Sequence, residues 1–426
     1  MIMMAEQLRL LYLVGGPPRH SLLLQRGGHV TLPFEQRTGG RCYLRLRPCA
    51  NSRAEAHQGS HGGHQKEDEN HCQPRHLTVA KVLDTVKPVL KFARTNFLPL
   101  ALITGVTIGL VNPVPGCLAQ KYSLSNWSTF GIFLVSGLTL RSGEMSAAIE
   151  AWPAGAFGLV SILLFTPFIS RLVLQLKLIP QEFVTGLAMF CCMPTTLSSG
   201  VALTQVVGGN SALALSLTVA SNLLGIVTVP FMLSKLVAQG VGVSVPAGEL
   251  LKSLTLMILV PLLLGKGIRN SFNGVAKFVD ERRELFSMIN SIFLSLVPWM
   301  QVSGSRALLL TISPMNFISA IAIGMCLHFI FLSLNTVIMH SLSLIFGGKR
   351  STFGKENNAR AIIIVASQKT LPVMVAIVGR LGGVLGEAGL LVIPCVAAHI
   401  NQIIMDSFLV NIWLQQDKRA LQVKET

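Results

Sequence analysis

The sequence predicts an all-α membrane protein of about ten transmembrane helices, arranged as two inverted five-helix repeats. Three observations predict this class: the chain is poor in charge, its apolar residues fall in ten long runs, and the two halves carry matching segments with a helix breaker at the centre of each.

Of 426 residues, 51% are hydrophobic and 13% charged. A soluble domain carries about 25% charged residues, because its surface must face water. A hydrocarbon core roughly 30 Å thick is crossed by a helix of about 20 apolar residues, and runs of that length follow one another from Phe97 onward. The expected partner of that surface is the lipid bilayer. The net charge of +16 points to loop lysines and arginines that set orientation. No basic stretch interleaved with aromatics occurs outside the apolar runs, so nucleic acid is excluded as a partner. The eight cysteines show neither CxxC pairs nor regular spacing, so no zinc site or disulfide framework is indicated.

Residues 1–76 are rich in Arg, Gly and His and poor in acids, which reads as an organelle transit peptide and disordered linker. A disordered cytosolic tail is the alternative for this stretch. The apolar spans then fall at 97–114, 127–141, 153–175, 184–206, 211–236, 250–269, 286–311, 315–346, 360–380 and 388–414. They define a first five-helix repeat over 77–236, a second over 237–416 and a short C-terminal tail at 417–426. Alternate loops test the count. Seventeen Lys and Arg fall on one set, including Lys91, Arg94, Arg282, Arg283, Lys349 and Arg350, against seven on the other. That asymmetry predicts both termini on the same, positive-inside face.

Internal similarity supports the repeat. Thr196-Leu197 and Val201-Ala202 recur as Thr370-Leu371 and Val375-Ala376, and Gly208-Gly209 as Gly382-Gly383, each 174 residues on. Val219-Ala220-Ser221-Asn222 has a counterpart in Val396-Ala397-Ala398-His399. A unit with an odd number of spans inserts upside down relative to its copy.

The centre of each unit breaks the helical pattern. Met193-Pro194-Thr195-Thr196-Leu197-Ser198-Ser199-Gly200 puts Pro, Gly and four hydroxyls inside an apolar run, and Ser367-Gln368-Lys369-Thr370-Leu371-Pro372 does the same in the other half. Proline removes a backbone donor, and an opened helix exposes carbonyls that must find partners. Paired broken helices near the bilayer midplane are suited to hold an ion and a solute. Lys369 is the sharpest residue here, since an ammonium in mid-span is costly and marks function with a partner. His399, Gln402 and Asp406 lie on one helical face of the last span and offer one, so a Lys369–Asp406 pair is one expectation. The other is that Lys369 holds an anionic solute or stands where a coupling cation would sit.

The stretches NFLPLAL, GIFLVSGLTLR, EFVTGLAMFCCMPTTLSSGVALT, VASNLLGI, SQKTLPVMVAIV and PCVAAHINQIIMDS, spread from about Phe92 to Trp413, resemble the bile acid:sodium symporter family. The likeness is greatest to its plant plastid sodium/metabolite cotransporters. The resemblance implies a core domain around crossed, broken fourth and ninth helices and a panel domain of the others. It also implies symport of a small organic anion with sodium, in the chloroplast envelope or, as an alternative, a mitochondrial membrane. Carried over residue by residue, it makes Ser198, Ser199, Thr218 and Gln368 the sodium ligands. With the residues of the two breaks and the last span, the candidate ion- and substrate-binding set is Thr195, Thr196, Ser198, Ser199, Thr218, Asn222, Gln368, Lys369, Thr370, His399, Gln402 and Asp406. The chain departs from the family pattern where a Glu is expected shortly before Gln368, in the apolar stretch Ile363, Ile364 and Val365, and where Asn is expected, at Gly200 and Lys369. Those changes shift the local charge by two units and oppose a bound Na⁺ by several kcal/mol. They open a second reading, in which Lys369 replaces a cation in a sodium-independent or proton-coupled carrier using His399 and Asp406.

Other classes lack their parts. No HExxH or GxSxG occurs, and Asp406 is the only carboxylate well inside the later spans, so neither an enzyme nor a cofactor is expected. A transport-inactive regulatory protein is a further alternative, and no obligate protein partner is readable.

Overall fold

The computed structural model describes Ala93 and residues 96–140, 151–348, 351–381 and 383–425. The expected transit peptide and linker, and the loop residues Arg141, Lys349 and Arg350, lie outside the described residues. Helices make up nearly all of the rest.

In chain order these are α1 (Phe97–Val111), α2 (Val114–Lys121), α3 (Leu124–Thr139), α4 (Trp152–Val173), α5 (Gln181–Cys191), α6 (Ser199–Val206), α7 (Ser211–Val241) and α8 (Ala247–Ser271). There follow α9 (Asn273–Glu281), α10 (Arg283–Gly304), α11 (Arg306–Leu309), α12 (Pro314–Ile345), α13 (Glu356–Ser367), α14 (Leu371–Val378) and α15 (Ala388–Glu425). Among the described residues, seven spans are long and apolar enough to cross a membrane, the pair α13/α14 counting as one; α1 and α2 together add an eighth. The protein is therefore an all-α membrane protein. The two further spans expected from sequence coincide with α3, which is 16 residues long, and with the interrupted pair α5/α6.

Proline and glycine account for most departures from the expected boundaries. The first span ends at Val111, and the chain turns by 102° before α2, at Asn112-Pro113. The seventh ends at Gly304, so Arg306 lies outside it and its Nε donates to Leu110 O at 2.6 Å. The last helix continues through 417–425.

Two groups of helices result. α1, α3, α8 and α10 pack on one another. Gly137 and Gly265 let α3 and α8 touch backbone to backbone: a Cβ on either would lie 2.2 Å from a carbonyl of the other helix. The broken pairs α5/α6 and α13/α14 are enclosed by α4, α7, α12 and α15. The panel of the resemblance is thus smaller than expected, because four unbroken spans wrap the crossing rather than join it. α13/α14 is buried without interruption from Arg360 to Val378, shielded from lipid on every side. Gly186 brings α5 against α15 just as closely, its missing Cβ leaving room for Leu391 O.

Candidate ion and substrate site

The two breaks meet. Residues 192–198 separate α5 from α6, residues 368–370 separate α13 from α14, and Thr370 N donates to Pro194 O across the crossing at 2.9 Å. Each opened helix frees carbonyls, and each must be paired where no water reaches. The structure pairs them by side chains from the surrounding elements. Thr195 Oγ1 donates to Val365 O, Asn222 Nδ2 to Thr195 O (3.1 Å), and Gln402 Nε2 to Lys369 O (2.7 Å). Gln402 Oε1 also accepts from Lys369 N at 2.9 Å, so one amide holds both the N–H and the C=O of Lys369. His399 Nδ1 lies 3.2 Å from Lys369 O and 2.8 Å from Gln402 Nε2.

Gln368, Lys369 and Thr370 are all fully buried, and the backbone is extended at Gln368 and Thr370, a conformation in which successive side chains point to opposite sides. This separates amide from ammonium. Gln368 Oε1 accepts from Thr196 Oγ1 and from Ser199 Oγ (2.9 Å), and its Nε2 donates to Asp406 Oδ2 at 2.6 Å. The other Asp406 oxygen lies 2.8 Å from His328 Nε2, and His328 Nδ1 lies 3.3 Å from Ser367 O. Lys369 turns the other way. Its Nζ donates to Thr166 Oγ1 (2.5 Å), Met193 O (2.9 Å) and Ile162 O (3.1 Å), with the Phe331 ring centroid 5.7 Å away.

The expected Lys369–Asp406 pair is therefore not formed. Asp406 is taken by His328 and Gln368, and the lysine is held by neutral oxygens. Of the four implied sodium ligands, the structure joins Ser199 and Gln368 and adds Thr196. Ser198 is exposed at the cavity wall, and Thr218 sits on α7 beside a second cavity. Sequence reasoning did not assign His328, Thr166, Ser161 or Asn335. A histidine inside the apolar run of α12 was the available signal. Asn335 accepts from Ser161 Oγ (2.6 Å) and donates to Ser367 Oγ (3.0 Å), which ties α4, α12 and α13 together.

A cavity of about 710 Å³ opens beside the crossing, between α1 and α10 on one side and α6, α14 and α15 on the other. Thr196, Ser198, Ser199, Thr370 and His399 reach it, facing Ser287 and Asn290 of α10. A second cavity of about 400 Å³ shares Ser198, Glu284 and Asn290 with the first and is lined by Thr218, Asn222 and Arg283. Four buried atoms at these walls lack a hydrogen-bond partner: Thr218 Oγ1, Asn222 Oδ1, Asn290 Oδ1 and Thr370 Oγ1. Unpaired buried polar atoms are costly, so polar groups left open beside a cavity point to a ligand or water that completes them. The arrangement offers oxygen ligands and polar cavity walls of the kind that suit ions and polar solutes.

The comparisons agree with that chemistry. The chain is 59% identical to the probable sodium/metabolite cotransporter BASS4, chloroplastic, of Oryza sativa subsp. japonica over 333 residues, 78% of this chain and 79% of that one. It is 58% identical over 332 residues to the protein of the same name in Arabidopsis thaliana, covering 78% and 76%. The sodium/bile acid cotransporter 7 of Xenopus tropicalis is 26% identical over 314 residues, 72% of this chain and 88% of that one. These relatives are transporters rather than enzymes. The model of the SBF-like CPA transporter family matches residues 96–415, which takes in every helix from α1 into α15, and the chain belongs to that family.

Proposed function

We propose that the protein is a secondary active carrier of the plastid envelope that moves a small organic anion together with sodium, through two inverted five-span units. The observation that carries this reading is the oxygen cluster at the crossing. Gln368 Oε1, Thr196 Oγ1 and Ser199 Oγ converge at the edge of the main cavity, and the Asp406 carboxylate sits directly behind the amide. Hard oxygens suit a hard cation, and a buried carboxylate one amide away favours positive charge there. The departure at Lys369 weighs less against sodium than composition suggests, because its ammonium points into a different set of oxygens. For the anion, the cavities offer hydroxyls and amides, with Arg283 at the rim. The names of the relatives support sodium coupling, a metabolite as cargo and a chloroplast location.

A second reading rests on the His328–Asp406 pair, the only buried carboxylate–imidazole contact among the described residues. Such a pair can carry a proton in place of an ion, with His328 in the part first given to His399.

Solute uptake into proteoliposomes decides between them. The sodium reading expects accumulation of a carboxylate metabolite only under an inward sodium gradient. Accumulation driven by a proton gradient in sodium-free buffer would select the second reading. Absence of uptake for every organic anion offered would overturn both and leave a transport-inactive membrane protein.

A further inference from the structure

The lysine cradle has a chemistry the carrier reading does not use. Met193 lies just past the C-terminus of α5, where the last carbonyls of a helix lack helical partners and carry partial negative charge. Ile162 lies in the π-helical turn Ser161–Phe165, and the Thr166 hydroxyl donates back to Ile162 O at 2.9 Å, which leaves its lone pairs facing Lys369. Two carbonyls and a hydroxyl converge here from a half-helix end and an opened helical turn, the donor set that binds small monovalent cations in broken-helix carriers. Walls of Phe190, Cys191, Leu327 and Phe331 enclose the spot, and the void beside it is about 10 Å³, room for one water molecule at most.

We propose that Ile162 O, Met193 O and Thr166 Oγ1 form a position for a small monovalent cation that this chain keeps filled with its own Lys369 ammonium. The tethered charge stays in place through the transport cycle, so any coupling ion is confined to the Gln368 side of the break. This consequence rests on the carrier reading, whereas the cradle itself does not.

Purified full-length Lys369→Ala tests the cradle by its unfolding midpoint in ammonium, methylammonium, sodium or choline chloride at equal ionic strength. Emptying the cradle while leaving its oxygens in place creates a free cation site. Ammonium is expected to raise the midpoint of Lys369→Ala by about 2–4 °C or more over choline and to leave the wild type unchanged. Adding Thr166→Val should abolish the rise. Equal midpoints in all four salts, or an equal rise in the wild type, would overturn the proposal. Recovery of folded Lys369→Ala only when ammonium is present throughout purification would uphold it, whereas aggregation in ammonium as in choline would count against it. In the otherwise native chain, Thr166→Val should lower the midpoint more than Thr166→Ser, which keeps the hydroxyl; equal losses would contradict the oxygen's role. Cation rescue without sodium-driven uptake would leave the cradle standing and sink sodium coupling, and uptake without rescue would do the reverse.

Discussion

The two breaks at the crossing are alike in plan and opposite in use. The α5/α6 break is seven residues long, and Leu197 and Ser198 at its end, with Ser199 at the start of α6, are exposed or half-buried at the cavity. The α13/α14 break is three residues long, and Gln368, Lys369 and Thr370 are buried, with Thr370 alone at the cavity wall. One break therefore supplies groups that a ligand can touch, and the other supplies the frame that aims them. The difference follows from partners. Seven unwound residues cannot all be paired by neighbours, and the unpaired end is left to the cavity. Three can be paired almost throughout, and here Gln402, Asp406 and the α4–α5 oxygens do so, leaving Thr370 Oγ1 open at the cavity wall.

The contrast breaks first at Asp406. Asp406→Ala removes the acceptor shared by His328 and Gln368 and leaves His328 Nε2 and Gln368 Nε2 buried and unpaired, with an expected loss of about 3–5 kcal/mol. A thermal or denaturant melt in detergent measures it, and a variant as stable as the wild type would deny the frame its central post. Gln368→Leu comes next, at about 2 kcal/mol, because Thr196 loses its acceptor and Asp406 a donor. Sodium stimulation of uptake should disappear with it. Ser199→Ala belongs to the ligand-facing break, so stability should hold while half-saturation for sodium rises roughly 5–10-fold, equivalent to about 1–1.4 kcal/mol. A matched fall in stability would move Ser199 into the frame. The smallest effect on folding is expected at Thr218→Val, within about 0.5 kcal/mol, because its hydroxyl has no protein partner to lose. A change in solute half-saturation there would show which cavity the solute enters.

The sequence carried the segments and the two breaks because each depends on local chemistry: apolar runs of sufficient length, and Pro with clustered hydroxyls where a helix opens. It also carried the abnormality of Lys369, since an ammonium deep in an apolar run needs a partner wherever it lies. The partner was not legible. Asp406 is the obvious counter-charge by periodicity, but backbone extended at Gln368 and Thr370 sends the lysine to one side and the glutamine to the other. The lysine's real partners are mostly backbone oxygens, which leave no mark on residue type. His328 was hidden for a related reason: a single imidazole in α12 acquires meaning only when Asp406 is brought 2.8 Å away from the far end of the chain.

The enclosure of α13/α14 from Arg360 to Val378 has a consequence for how the protein tolerates change. A mean hydropathy of 2.0 makes this span look interchangeable with any lipid-facing one. Lipid tails are fluid and accept a leucine in place of an isoleucine with little distinction, whereas a packed interior registers each methyl group. Drift among homologues should therefore be free in shape on the outward faces of α1, α8 and α12. In α13/α14 it should be restricted to substitutions that conserve volume, so that variation in side-chain size, rather than in hydrophobicity, traces the axis of the carrier.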